Sequence, residues 1–154
     1  MPQDTSIWKP PVLFHFKVEF QWTDNSRTSA SFEEVDGLGQ SLSLSSQAQR
    51  SKDGQMLVEG VSVDDLVLKR AIEPIDDRIS GWVKECFSFL NVGWIRICNV
   101  SVSLLGEDGS EELARWKCLR AVPVKWKMNP LNASESKIAI ETLTLKYKEL
   151  IREK

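Results

Sequence analysis

Few groups in this chain are suited to chemistry, and their spacing serves it poorly. His15 is the single histidine. It shares the polar side of an alternating run with Lys17, Glu19 and Gln21, and no cysteine or carboxylate cluster stands near it at ligand spacing, so no His/Cys zinc site is formed. A Ser-His-Asp hydrolase would have to use the same histidine, yet no serine sits in a nucleophile-elbow sequence. Carboxylates pair at Glu33-Glu34, Asp64-Asp65, Asp76-Asp77 and Glu111-Glu112. Adjacent strand residues point to opposite faces, so such pairs do not make an acid/base dyad by themselves. Gly37-Leu38-Gly39 lacks the third glycine and the Lys-Ser or Lys-Thr of a phosphate loop. Asn132-Ala133-Ser134 matches a glycosylation sequon, a pattern short enough to arise by chance, and reads as a turn. Lys125, Lys127 and Lys137 form a small basic patch near Trp126, read as a solvated edge. The three cysteines, Cys86, Cys98 and Cys118, are odd in number with no CxxC pair, so buried free thiols are expected rather than a disulfide framework. No catalytic residue, cofactor or metal is expected, which leaves binding or assembly.

Composition narrows the classes further. The 154 residues suffice for a real core, with 42% hydrophobic and 27% charged content. The 20 basic and 22 acidic residues give a net charge of −2, with no overall pull toward nucleic acid or an anionic membrane. No apolar run has the length of a membrane span. The opening MPQDTSIWKPPVLF lacks the basic and apolar regions of a secretory signal, so synthesis in the cytosol is expected. Six tryptophans mark a core or an interface.

The elements follow from periodicity. Residues 1–11, with three prolines, read as an extended N-terminal arm. Phe14 to Trp22 alternates strictly, with Phe14, Phe16, Val18, Phe20 and Trp22 on one face, as a half-buried strand does. Further strands are expected over Ala30–Val35, Gln40–Gln47, Val63–Arg70, Ile95–Leu105, Leu113–Lys127 and Ser136–Tyr147. Pro123 places an edge or a bulge in the long one. Residues 48–60, AQRSKDGQMLVEG, read as a protruding loop with Asp53-Gly54 at a hairpin tip. One helix is expected from Pro74 to Asn91, its apolar stripe formed by Ile75, Ile79, Trp82, Val83, Cys86 and Leu90. Gly81 within it is read as room for close packing on a sheet. With no repeat and no linker, 1–154 reads as a single unit: a mainly β fold with one helix, its strands mostly antiparallel by their short connections.

The last strand carries an anomaly. Ile138 and Ile140 are apolar on one face, whereas Leu143, Leu145 and Tyr147 are apolar on the other. A bulge near Glu141-Thr142, or a strand covered on both faces, would account for it.

Several segments in order resemble the tail-tube proteins of contractile phages and of phage-tail-like contractile injection systems. They are Pro10 to Phe20, Phe32-Glu-Glu-Val-Asp-Gly-Leu38, Leu66-Val-Leu-Lys-Arg70, Trp82, Val102-Ser-Leu-Leu-Gly-Glu-Asp-Gly109, Trp116, Ala121-Val-Pro-Val-Lys-Trp126 and, most specifically, Leu131 to Leu145. The chain departs from the family at Ala71, where a glycine is usual, and in an arm that is less glycine-rich. The resemblance implies two packed antiparallel sheets forming a small barrel or sandwich with one flanking α-helix. It implies hexameric rings stacked into a tube inside a contractile sheath, with a related tube protein, sheath and baseplate hub proteins as partners and a payload in the lumen. The aromatic-rich PPVLFHF and the C-terminal Lys148 to Lys154 resemble the tube-initiator type that forms the first ring on a hub; a ring secreted by a type VI system is a further relative. Lys17, Glu19 and Gln21, or Ser41, Ser43 and Ser45, are the expected lumen or solvent faces. Contact between subunits is expected at Arg50, Lys52, Asp53, Met56 and Leu57. The rival class is a monomeric β-barrel that binds a small apolar ligand.

Overall fold

The computed structural model describes residues 15–45, 53–74, 77–88, 93–107, 109–134 and 138–154. The N-terminal arm lies outside these residues. Strand β1 (His15–Gln21) forms where the alternation is strictest, burying Val18 and Phe20 fully. A turn at Thr23–Ser26 returns the chain into β2 (Arg27–Ser31), and β3 (Glu34–Asp36) follows after Phe32-Glu33. The strand expected over Ala30–Val35 is therefore two strands that serve different sheets. A hairpin of β4 (Gln40–Leu44) and β5 (Val58–Val63) stands apart as its own two-stranded sheet. Asp64-Asp65 then interrupts the strand expected over Val63–Arg70, and β6 (Leu66–Ala71) begins after the break.

Helix α1 (Arg78–Cys86) is shorter than expected. Asp77 is its N-cap, the carboxylate accepting from the Ser80 N–H at 3.1 Å. Nine residues do not hold a helix alone, so burial of Ile79, Trp82 and Val83 fixes it. Trp82 meets Trp22 edge-on at 5.5 Å between ring centroids and Phe20 at 6.1 Å. Nothing lies within 4 Å of a Cβ built on Gly81, so this glycine does not serve close packing.

The remaining strands are β7 (Cys98–Leu105), β8 (Glu112–Met128), β9 (Ile140–Lys146) and β10 (Glu149–Arg152). Eight strands join in the order β2-β1-β7-β8-β9-β6-β3, with β10 also on β8, every pairing antiparallel. The 17-residue β8 folds this network into two layers. Its first half pairs with β7 and β10, its second half with β9. At the bend Arg120 takes a left-handed φ of 59°, and its N–H donates to Asn99 Oδ1 at 3.1 Å. A left-handed residue that is not glycine costs about 1–2 kcal/mol. The bend inserts an extra residue, so the inward positions run Cys118, Ala121, Pro123 rather than in one unbroken phase. A second irregularity falls between Pro123 and Lys125, as the proline requires.

The core lies between the layers. Val18, Phe20, Val100, Val102 and Cys118 face Leu66, Leu68, Leu143 and Leu145 in one buried cluster. The fold is thus two antiparallel sheets packed face to face with a flanking helix, and the barrel is not closed.

The phase anomaly in β9 resolves differently from expectation. Its register with β6 runs without a break from Leu145 to Ile140, so no bulge stands at Glu141-Thr142. Glu141 occupies the inward slot in phase with Leu143 and Leu145. Ile138 points to solvent, 75% exposed. The strand keeps one buried face and places a carboxylate in it.

Candidate assembly surfaces

A buried carboxylate needs a partner. Arg70 Nε donates to Glu141 Oε1 at 2.8 Å, and Arg70 Nη2 donates to Asp77 Oδ2 at 2.8 Å and Ser80 Oγ at 3.1 Å. Trp126 Nε1 donates to the other Glu141 oxygen at 2.9 Å. One guanidinium so ties β6, β9 and the start of α1 together, while Glu141 draws in the far half of β8. Burial works to lower the Arg70 pKa, but the carboxylates of Asp77 and Glu141 outweigh it and hold it above its ordinary value. Burial likewise works to raise Asp77, and Arg70 with the Ser80 N–H brings it below the usual carboxylate range.

This network floors a cavity of about 400 Å³ between α1 and the second layer, walled by Phe32, Ile72, Val83, Phe87 and Leu143 beside Trp126. Ile72, Phe87 and Trp126 stay open to solvent at its rim.

The β4–β5 hairpin is the most apolar exposed element. Leu42 pairs with Val61 and Leu44 with Val58 on one face, and all four are 45–62% exposed. The opposite face carries Ser41, Ser43, Gly60 and Ser62. Its base is fixed beside β10, where Gln40 Nε2 donates to the Leu150 carbonyl at 3.0 Å. Asp53 and Gly54 both take positive φ, 55° and 75°, as a two-residue hairpin turn requires. Of the residues expected at a subunit contact, Asp53, Met56 and Leu57 stand exposed on this hairpin. Arg50 and Lys52 lie outside the described residues. The contact set expected from sequence does not include Leu42, Leu44 or Val61; the Leu-Ser alternation announces the strand but not what its apolar face meets.

Other unpartnered surface is backbone. β2 and β3 end the strand order, and the second half of β8 pairs only with β9 among the described residues. Val124 and Trp126 are 44% and 49% exposed along that strand. Such edges in an isolated chain are templates for another chain. The tryptophans divide accordingly: Trp22 and Trp82 are core, Trp94 and Trp126 are exposed.

The cysteines are free, Cys98 and Cys118 buried and Cys86 half-buried. No cluster of three metal-ligating side chains occurs among the described residues, and none of their helices is long and apolar enough to cross a membrane.

Known structures share this architecture. The chain is similar to a component of the anti-feeding prophage baseplate, at 23% identity over 95% of this chain and 97% of that one, with a TM-score of 0.74. It is similar to a chain of the sheath/tube terminator of an extracellular contractile injection system, PVC, at 18% identity over 97% and 100%, with a TM-score of 0.75. A more distant likeness is to Hcp1 from Flavobacterium johnsoniae, at 13% identity over 88% and 94%, with a TM-score of 0.52. At these identities the likeness is one of fold. No curated protein matches the chain. The model of one family matches residues 12–151, nearly the whole length, and by that match the chain belongs to the T4-like virus tail tube protein gp19 family.

Proposed function

We propose that the chain is an inner-tube subunit of a contractile injection particle or phage tail. Copies close into hexameric rings, rings stack into a rigid conduit, and sheath contraction drives that conduit through a target envelope. The protein acts as a wall rather than a catalyst, its partners being copies of itself, a related tube protein, and sheath and baseplate hub proteins, with payload in the lumen. The tube-initiator ring on a baseplate hub is the narrower form of this reading, favoured by the C-terminal strand β10 that the sequence Glu149–Arg152 adds to β8. The whole chain, residues 1–154, acts as one unit, and the protruding segment 48–60 makes the contact between subunits.

The observation that carries the reading is the apolar hairpin face of Leu42, Leu44, Val58 and Val61, left bare in a chain of tail-tube fold. A monomer seldom leaves such a face open. Mass in solution with negative-stain imaging tests it: rings or tubes are expected. Deletion of residues 50–58 should leave a folded monomer that cannot polymerise, and tube formation by that deletion would remove the hairpin from the assembly.

The cavity beside Trp126 favours a second reading, a site for a small apolar ligand. A strict monomer that takes up an apolar fluorescent probe, with quenching of Trp126, would favour it.

A further inference from the structure

Two of the three thiols stand together. Cys86 is the last residue of α1, half-buried, one turn beyond Trp82 on the stripe that packs against the core. Cys98 is the first residue of β7 and is buried in the same cluster. The stretch between them is tied to the helix: Trp82 Nε1 donates to the Arg96 carbonyl at 3.0 Å, and Arg96 Nε stands 3.9 Å from Glu85 Oε1. The chain therefore crosses the last turns of α1 two residues before it delivers Cys98. The thiols register each other: burial raises the Cys98 pKa to about 12, and charge on Cys86 adds to the rise. Cys118 has a different neighbour, the Tyr147 hydroxyl. The backbone is irregular on both sides of the pair. Phe87 ends the helix with a φ of −95°, and the register of β7 on β8 shifts between Cys98 and Val100.

We propose that Cys86 and Cys98 are a redox pair that closes into a disulfide and staples the end of α1 to the start of β7. The proposal stands apart from the ring reading and applies to a single copy. The oxidant is a low-molecular-weight disulfide. Cys86, as thiolate, attacks one of its sulfurs, forms a mixed disulfide and releases a small thiolate. Cys98 gives that thiolate its proton and attacks the Cys86 sulfur. The second small thiolate leaves and takes up the proton that Cys86 had lost. Two protein thiols are oxidised to one disulfide, and one small disulfide is reduced to two thiols. Cys86 is the entry point because it is the most accessible of the three. Burial keeps Cys98 protonated, so the adduct on Cys86 precedes the bridge. The bridge closes a short loop and removes freedom from the unfolded chain.

The test treats the full chain with excess oxidised glutathione. Unfolding in iodoacetamide and peptide mapping by mass spectrometry then locate the bridge, and a thermal melt reads its effect. Peptides joined through Cys86 and Cys98 are expected, with Cys118 alkylated. The thermal midpoint should rise by about 5 °C or more, and dithiothreitol should reverse both changes. Cys86→Ser, at a half-buried position, should fold and lose both the link and the rise, whereas Cys118→Ala should keep both. A glutathione adduct on Cys86 that never passes to Cys98, a link through Cys118 or between two copies, or a linked pair whose midpoint does not rise would each overturn the staple.

Discussion

Arg70 and Glu141 stand directly opposite each other on β6 and β9, joined Nε to Oε1 at 2.8 Å with side chains 5% and 10% exposed. This ion pair sits in a slot where a strand would ordinarily hold an aliphatic residue. Removing one partner strands the other's charge. Arg70→Met or Glu141→Leu alone should each cost about 3–5 kcal/mol by chemical denaturation. The double variant should recover most of that loss. A double-variant loss equal to the sum of the singles would show that the pair does not act as a unit.

Two glycines should respond oppositely to the same change. Gly37 has a φ of 94°, and a Cβ there would fall 1.8 Å from the Asp65 carbonyl oxygen, a backbone atom that cannot step aside. Its own carbonyl also accepts from the Tyr147 hydroxyl at 3.1 Å. Gly37→Ala should destabilise by well over about 1 kcal/mol or abolish soluble expression. Gly81 is helical with open space around it, so Gly81→Ala should stabilise by about 1 kcal/mol. Thermal midpoints that move in the same direction would contradict this account.

Stability should fall at both ends of the pH scale for different reasons. Burial pushes the Cys98 and Cys118 thiols from 9.0 up to about 12, so the fold prefers them neutral while the unfolded chain ionises them earlier. Their contribution is complete below pH 9.0 and is lost progressively from there to about 12. Asp77 has the opposite sign: its pKa is lowered from 3.8, so its contribution is complete above that value and is lost as pH falls through the lower, folded one. Cys98→Ala with Cys118→Ala should flatten the alkaline limb of a midpoint-versus-pH curve and leave the acid limb unchanged. Half-buried Cys86 should be the first thiol to react with a disulfide reagent in the native protein.

The hairpin face should matter to assembly and not to the fold. Leu42 and Val61 form a cross-strand pair 58% and 62% exposed, so Leu42→Ser with Val61→Ser removes little that the lone chain buries. The monomer's midpoint should stay within about 0.5 kcal/mol of wild type, while the mass of assembled material drops. Loss of folding instead would mean that the face is internal support.

Strands with one clean buried face were legible in sequence. The alternation from Phe14 to Trp22 gives β1, and the helix stripe of Ile79, Trp82 and Val83 gives the buried side of α1. What eluded the sequence is non-local. Glu141 looks like a phase error because its partner stands 71 residues earlier. The short, charged Glu149–Arg152 reads as a tail until β8 offers it a ladder. Arg120 carries no local sign of a left-handed bend. The expected contact residues Asp53, Met56 and Leu57 fall on an exposed hairpin because the Asp53-Gly54 turn chemistry is explicit, whereas the apolar pairing of Leu42 with Val61 exists only once strand register sets it.

The bend of β8 at Arg120 has a mechanical consequence. β9 and β10 follow β8 along its length on either side of the Tyr147-Lys148 break, so one covalent backbone and its ladder belong to both layers. A load applied along β8 to either layer passes into the other through peptide bonds and strains many hydrogen bonds together in shear. Peeling them one at a time would require force across the strand. A wall element built this way is stiff along β8 and compliant across it.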